Sequence, residues 1–595
     1  MKVNHYALSL GLLYVQAGAV YGASQQILGF QDSLLSAIGI DGLPWSFFES
    51  AGDQKRVEIL SNCNIPFETL DLLSHAGVQG ADCGAAAYLA ESLHDSCLKH
   101  PNCHLAGPKV DVKPPNNKDD AGLKASKACA IARFLLEPSS AVLQASEYGE
   151  AYEDAVRVNW SKDCWLQPRC ILQPSSAEQV SWIMQIIQRT GARFAIRSGG
   201  HNPNRGWASI DGGGVLIDTS RLDAVLVSAD ASTVEVGPGN RWIRVYEKLE
   251  GTRRSVLGGR TPDVGVGGLL LGCGIPSFSS EFGLACDYVR EFEVVLGNGT
   301  IVVANRETNA DLWWALKGGG SNFGIVTKFV LETVPVDRIW YEARIYGPDE
   351  SRSLLRAVRE YQAAAEADEK ASFAFSLSNN HTIVAFVYSA PVEFPPVFHM
   401  FRDIPFQRHF IEPSLGTPYT IAKAFETVLG ERPEFKRDIV AVSTKPDLSL
   451  YEEGYERWLE LSKDMMGQFD CMMTFGIQPV TSSAIVKSNA RGNPLNLSPE
   501  GQQWYTSVIQ WRDDKFDDLA HQAVKTSGGA VREIAKRKGI LLDFEFLNDA
   551  TWDQHPIASY GEENVRKLRE IARRYDPAEV FQKLQGDGFL LHKMP

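Results

Sequence analysis

Residues 194–202 read Phe-Ala-Ile-Arg-Ser-Gly-Gly-His-Asn, and the reading of that stretch organises everything around it. Residues 193–197 read as a strand. It runs directly into Ser198-Gly199-Gly200-His201, where two glycines permit a tight turn and close backbone approach. Upstream, Val180, Ile183, Met184 and Ile187 recur at helical spacing, opened by an S-x-x-E capping box at 175–178 and stopped by Gly191. Downstream, 215–217 and 233–236 read as short strands. Trp242, Val245, Tyr246 and Leu249 mark an amphipathic helix closed by Gly251. Asn298-Gly299 predicts a hairpin turn between strands at 292–296 and 300–303. Short strands mixed with short helices, without a regular βαβ rhythm, predict an α+β fold rather than a doubly wound sheet.

Glycine gathers where a main chain would have to approach a ligand. The clusters are 198–201, 212–214, 237–239, 258–259, 265–274 and 318–324. Glycine lacks the Cβ that would hold a pyrophosphate off, so successive N–H groups can form an anion-cradling nest. Unrelated tight turns would explain one such cluster. Six, each beside a strand or helix start, predict a large phosphate-bearing ligand. None fits G-x-G-x-x-G or G-x-x-x-x-G-K-[ST], which argues against a Rossmann or P-loop site.

The 194–202 stretch resembles the pyrophosphate loop of the PCMH-type FAD-binding domain of the vanillyl-alcohol oxidase superfamily. The run from Gly258, GGRTPDVGVGGLLLGCGIPSFSSEFGLACDYV, resembles the second FAD-binding stretch of the berberine bridge enzyme-like branch, with a fungal, secreted character. Asp311-LWWALKGGGSNFGIVT continues the pattern. Phe546-Leu-Asn548 and Tyr575-Asp-Pro-Ala-Glu-Val-Phe581 resemble its C-terminal motifs. The resemblance runs from about Asn159 to the end and covers nothing before about residue 130. It implies a two-lobed PCMH-type FAD-binding domain plus a substrate domain with an antiparallel sheet backed by helices. Strand-like stretches at 373–377, 383–388, 472–478 and 507–511, separated by helical ones, agree with the latter, and 562–575 reads as a closing helix before Asp576-Pro577.

The expected organisation is a signal peptide at 1–22 and a cysteine-rich extension at 23–130 with a linker near 108–120. The FAD-binding domain follows at 131–337, the substrate domain at 338–540, and a C-terminal segment returning to the FAD domain at 541–595. By resemblance, His201 bonds to the flavin 8α-methyl carbon. Arg197, Ser198, Gly199, Gly200, Asn202, Gly265, Gly267 and Gly268 belong to the cofactor site, the pyrophosphate lying on 198–202 and 265–268. Gly272, Asp287 and Val289 border the adenosine half, and Asn548 approaches the flavin. Some relatives form a second link from a cysteine where this chain has Thr261, so a single attachment is expected. Cys273 replaces a usual glycine and is expected to be a small buried side chain. Phe546 and Asp549 stand where tyrosines are common. Gln478 is expected to face the cavity, and Asp549 is the nearest acidic candidate for a proton acceptor, with a helix-cap or surface role as its alternative.

The formal net charge of −14 argues against nucleic acid or anionic membranes as partners. A short polar start, an apolar run over 6–21 and small residues near Gly22 predict secretion, with no membrane span after cleavage. Sequons at Asn159, Asn298, Asn380 and Asn496 and ten cysteines agree. The Cys83, His94, Cys97, His100, Cys103, His104 cluster has zinc-compatible spacing, but a secretory chain favours disulfides, and no metal is expected. Cys164 and Cys170 bracket a loop short enough to pair locally. The expected function is a secreted, monomeric FAD oxidase. It takes hydride from a small organic, secondary-metabolite-type substrate and passes electrons to dioxygen. A carbohydrate oxidase of the same family and a non-catalytic flavin-fold protein are the alternatives.

Overall fold

In the computed structural model, residues 120–136, 141–430 and 434–594 are described. The expected signal peptide, most of the expected cysteine-rich extension and its cysteine–histidine cluster lie outside them. The first described element is the helix Asp120–Leu135, which packs against the helix Ala177–Thr190. It crosses residue 130, where the extension is expected to end, and its small residues Ala125, Ala128 and Ala132 are buried among Val180, Ile183 and Ile187.

Three sheets build the fold. A four-stranded sheet has the order Val142–Leu143, Ile171–Leu172, Gly214–Asp218, Arg193–Arg197, with Gly214–Asp218 parallel to both neighbours. A five-stranded antiparallel sheet has the order Val225–Val227, Thr233–Val236, Ile325–Glu332, Val289–Val295, Ile301–Asn305. Its hairpin turns at Asn298-Gly299, where Gly299 has φ +85° and its N–H donates to Leu296 O at 2.9 Å. The third sheet is seven-stranded and antiparallel, in the order Arg408–Gly416, Ile339–Tyr346, Thr382–Tyr388, Ala371–Ser378, Cys471–Val480, Gln502–Trp511, Lys436–Thr444. Helices Ser351–Ala365, Leu448–Gln468 and Asp517–Lys538 cover one face, their Leu354, Tyr451, Trp458 and Val524 meeting Phe375, Phe475, Ile477 and Tyr505. Since side chains alternate along a strand, Gln478 points off the opposite face. The chain then returns to the five-stranded sheet, where Phe544, Phe546, Ile557, Tyr560 and Leu568 join its core.

Two local expectations need correction. The helix Ala177–Thr190 is capped by Ser176, whose Oγ accepts from Gln179 N, while Gln179 Oε1 accepts from Ser175 N. The N-cap is therefore Ser176, one residue later than expected, and Gln179 rather than Glu178 folds back over the helix start. Cys170 pairs with Cys129, not Cys164. Cys164 is a buried thiol whose Sγ donates to Pro203 O at 3.1 Å, and burial pushes its pKa up. Cys273, expected as a small buried side chain, is buried and is joined to Cys286. Sequon Asn159 is also buried, its Nδ2 donating to Cys164 O and Ala208 O, whereas Asn298 and Asn380 are exposed. Among the described residues no helix is long and apolar enough to cross a membrane.

The Cys129–Cys170 bond closes a loop of 41 residues and ties Asp120–Leu135 to the four-stranded sheet. Chain-entropy reasoning gives such a closure about 4 kcal/mol. The double variant Cys129→Ser, Cys170→Ser is therefore expected to lower the unfolding free energy by that amount, read as a fall in the urea midpoint. Reductant should have little further effect on it, and an unchanged midpoint would deny the bond a stabilising role.

Candidate active site

The site begins beneath the strand Arg193–Arg197. The guanidinium of Arg197 is fully buried, with Nη2 3.0 Å from Asp218 Oδ2 and Nη1 3.2 Å from Asn159 Oδ1. A buried, doubly bonded cation of this kind fixes where the strand ends and the loop starts. In the loop, Gly199 lies face to face with Gly265. A Cβ on Gly199 would stand 2.5 Å from Gly265 Cα, and one on Gly265 would stand 2.5 Å from Gly199 Cα. Gly200 has φ +65°, and its Cβ would meet Asn159 Oδ1 at 2.8 Å. Ser198 Oγ knits the loops together, donating to Pro238 O at 2.6 Å and accepting from Gly267 N at 3.2 Å. The N–H groups of buried Gly199 and Gly200 donate to no acceptor among the described residues. A Cβ on Gly268 would meet no atom within 4 Å. Unsatisfied buried donors beside such room suit an anionic group pressed against the main chain.

These loops open into a cleft of about 380 Å³. Ser198, Gly199, Gly200, His201, Asn202, Thr261, Gly265, Gly267, Gly268, Gly272, Gln478, Asn548 and Asp549 all line it. Arg197, Asp287 and Val289 do not. Asp287 is buried beyond it, accepting from Leu284 N and Asn493 Nδ2, each at 2.9 Å, and Val289 O accepts from Trp313 Nε1 at 2.9 Å. Burial raises the Asp287 pKa against the pull of nearby Lys317, and burial likewise brings the Lys317 ammonium down to about 8 against the attraction of Asp287. Asn548 spends its amide on the main chain, donating to Gly268 O and accepting from Gly274 N, each at 3.1 Å. A Cβ on Gly272 would stand 2.7 Å from Asn548 Oδ1, so the glycine makes room for this clip.

His201 is 26% exposed. Its ring stacks on Trp160 with centroids 4.7 Å apart and an interplanar angle of 12°, and its Nε2 lies 3.8 Å from Asp263 Oδ1. Further along the cleft, Gln478 bridges two charges. Its Oε1 accepts from Arg260 Nη2, and its Nε2 donates to Asp549 Oδ2 at 2.8 Å. Burial lifts the Asp549 pKa above the ordinary carboxylate value, with the Gln478 hydrogen bond and the Arg260 charge pulling the other way. Desolvation likewise draws the Arg260 pKa down, against the attraction of Asp549. A half-buried carboxylate with a raised pKa, oriented by an amide, is equipped to accept a proton. Arg260, Asp263 and Trp160 are the residues that sequence reasoning passed over. Arg260 and Asp263 carried a signal, as charges inside an otherwise small and apolar glycine run. Trp160 carried none, since only the fold brings it to His201.

One cleft thus brings together a glycine cradle, an imidazole and a carboxylate–amide–guanidinium wall, and the comparisons with known proteins give its class, an FAD-linked oxidoreductase. Residues 168–305 match the FAD binding domain family. An FAD-dependent monooxygenase of Arthrobotrys oligospora is 35% identical over 445 residues, covering 74% of this chain and 86% of that protein. The bifunctional solanapyrone synthase of Alternaria solani is 33% identical over 476 residues, covering 78% of this chain and 89% of its own. The structure of berberine bridge enzyme from Eschscholzia californica superposes with a TM-score of 0.59 at 16% identity, over 73% of this chain and 94% of that one. The chain belongs to the family of the fungal FAD-dependent monooxygenases, and it shares its fold with berberine bridge enzyme.

Proposed function

We propose that this chain is an exported oxidase whose FAD is tethered through His201 alone and which oxidises a small organic substrate of the secondary-metabolite kind, with dioxygen as final acceptor. The observation that carries the reading is the placement of His201 and the Arg260–Gln478–Asp549 wall in one cleft with the glycine cradle. The likeness to a solanapyrone synthase supports the substrate class. Thr261, which has no thiol, supports the single tether.

In this reading residues 131–337 and 541–595 hold the cofactor and 338–540 supply the substrate wall. Main-chain N–H groups of Gly199 and Gly200, with residues 265–268, would hold the pyrophosphate. FAD held there would supply the redox chemistry, taking hydride from a substrate C–H beside oxygen or nitrogen and reducing dioxygen to hydrogen peroxide. The chain contributes position and proton handling. Asp549 Oδ2 takes the O–H or N–H proton of the substrate as hydride departs. Gln478 holds that carboxylate in place, and the remaining N–H donors of Arg260 face substrate oxygen.

Acid precipitation tests the tether. The wild-type pellet is expected to be yellow, whereas His201→Ala should bind FAD and release it to the supernatant on denaturation. Wild-type flavin in the supernatant would remove the tether from the proposal.

A further inference from the structure

We infer that Trp160 and Asp263 are positioning residues for attachment of the flavin, setting the plane and tautomer of the His201 imidazole; this rests on the tether proposed above. Forming the bond demands direction. The 8α carbon gives up a proton, an imidazole nitrogen forms the C–N bond through its in-plane lone pair, and the imidazole N–H proton leaves. The electron pair stays on the isoalloxazine as reduced flavin, and dioxygen reoxidises it with formation of hydrogen peroxide. A freely rotating imidazole would spend most of its time with that lone pair aimed elsewhere.

Three observations fix the ring. The near-parallel stack on Trp160, 12° between planes, confines the imidazole to one plane, leaving two orientations related by a half-turn about the Cβ–Cγ bond. Asp263 Oδ1 lies 3.8 Å from Nε2, beyond hydrogen-bond reach, and its negative charge on that side of the ring biases the proton towards Nε2 and the lone pair towards Nδ1. Trp160 itself is immobilised from both sides. Its N–H donates to Gly200 O at 2.9 Å, in the same loop as His201. Its carbonyl accepts from Arg437 Nη1, and the Arg437 guanidinium lies 4.7 Å from its ring centroid. Arg437 belongs to the edge strand Lys436–Thr444 of the seven-stranded sheet. Ser161 and Lys162 bond the same segment, Arg437 N donating to Ser161 Oγ and Lys162 N to Phe435 O. The substrate-side sheet therefore holds the indole against which the cofactor-side imidazole lies.

The test compares purified full-length wild type, Trp160→Phe, Trp160→Leu and Asp263→Asn. Each is loaded with FAD, and flavin is measured in the acid pellet and in the supernatant over time. Total flavin per chain and circular dichroism are recorded alongside. Phe keeps a flat ring and Leu fills space without one. The expected result is attachment within about threefold of wild type for Phe, and slower by about tenfold or more for Leu. Asp263→Asn should attach more slowly and recover as pH rises, because the neutral amide no longer takes up the leaving proton. Equal attachment in the Phe and Leu variants, whether full or absent, would overturn the role of the stack. A pH profile unchanged in Asp263→Asn would overturn that of the carboxylate. Wild-type flavin that never enters the pellet fails the tether itself, a separate outcome from either.

Discussion

Gly199→Ala is expected to abolish FAD binding and to cost stability, although the substitution adds one methyl group and Gly199 has no left-handed φ to protect. The obstacle is the partner. The new Cβ would lie 2.5 Å from Gly265 Cα and closer still to its amide nitrogen, which are main-chain atoms with no rotamer to escape into. Relief requires the loop 198–202 and the segment at 265 to separate, and that opens the cradle itself. Overpacking of a well-filled interior typically costs ~1–3 kcal/mol, and backbone against backbone belongs at the upper end. Gly265→Ala should behave alike, because the contact is reciprocal. Gly268→Ala is the informative comparison. Its Cβ meets no atom within 4 Å, so the apoprotein should melt as wild type does, while FAD affinity falls if the cofactor occupies that side of the glycine. Thermal scans with and without added FAD separate the two effects. Normal FAD binding by Gly199→Ala would mean that the loops are not held in contact.

That contact also explains why the cradle was legible in the sequence when the rest of the site was not. The demand for glycine is local, since a residue that must have no Cβ announces itself wherever it stands. The strand Arg193–Arg197, the turn at Asn298-Gly299 and the helix Trp242–Leu249 were legible for the same reason, because periodicity and turn chemistry act over a few residues. The helix start shows the limit of such reading. Ser175 and Ser176 both offer a hydroxyl, and the choice fell to whichever placed Gln179 over the free N–H of Ser175. Cysteine pairing and the Arg260–Gln478–Asp549 wall depend on distance in space alone. Cys129 finds Cys170 across 41 residues, and Gln478 meets Arg260 across 218 and Asp549 across 71. Resemblance placed Gln478 and Asp549 in view separately. Only the fold joins them, through an arginine that no pattern had singled out.

Asp549→Asn is expected to lower kcat by ~10²–10⁴-fold, the range for loss of a positioned general base, and to leave the protein as stable as before or more so. The two effects have one origin. Burial raises the pKa of Asp549, so the folded state holds its proton more tightly than the unfolded state does. The group's contribution to stability therefore falls as pH rises from the ordinary carboxylate value through the raised one. Above that window the wild type carries a desolvated carboxylate that only Gln478 and Arg260 compensate, and the neutral amide removes the penalty. Turnover has the opposite dependence, because the base must be ionised to accept a proton. The acid limb of the wild-type rate profile should lie above the ordinary carboxylate range and vanish in the variant. Gln478→Leu should act differently, leaving the carboxylate in place but unheld, with a smaller loss of kcat and a shifted limb. The measurement is kcat against pH, using a substrate found by peroxide release, with melting temperatures taken over the same range. An Asn variant that turns over like wild type at every pH would move the proton acceptor elsewhere. A variant that is both slow and markedly less stable would show that Asp549 serves the fold before it serves the chemistry.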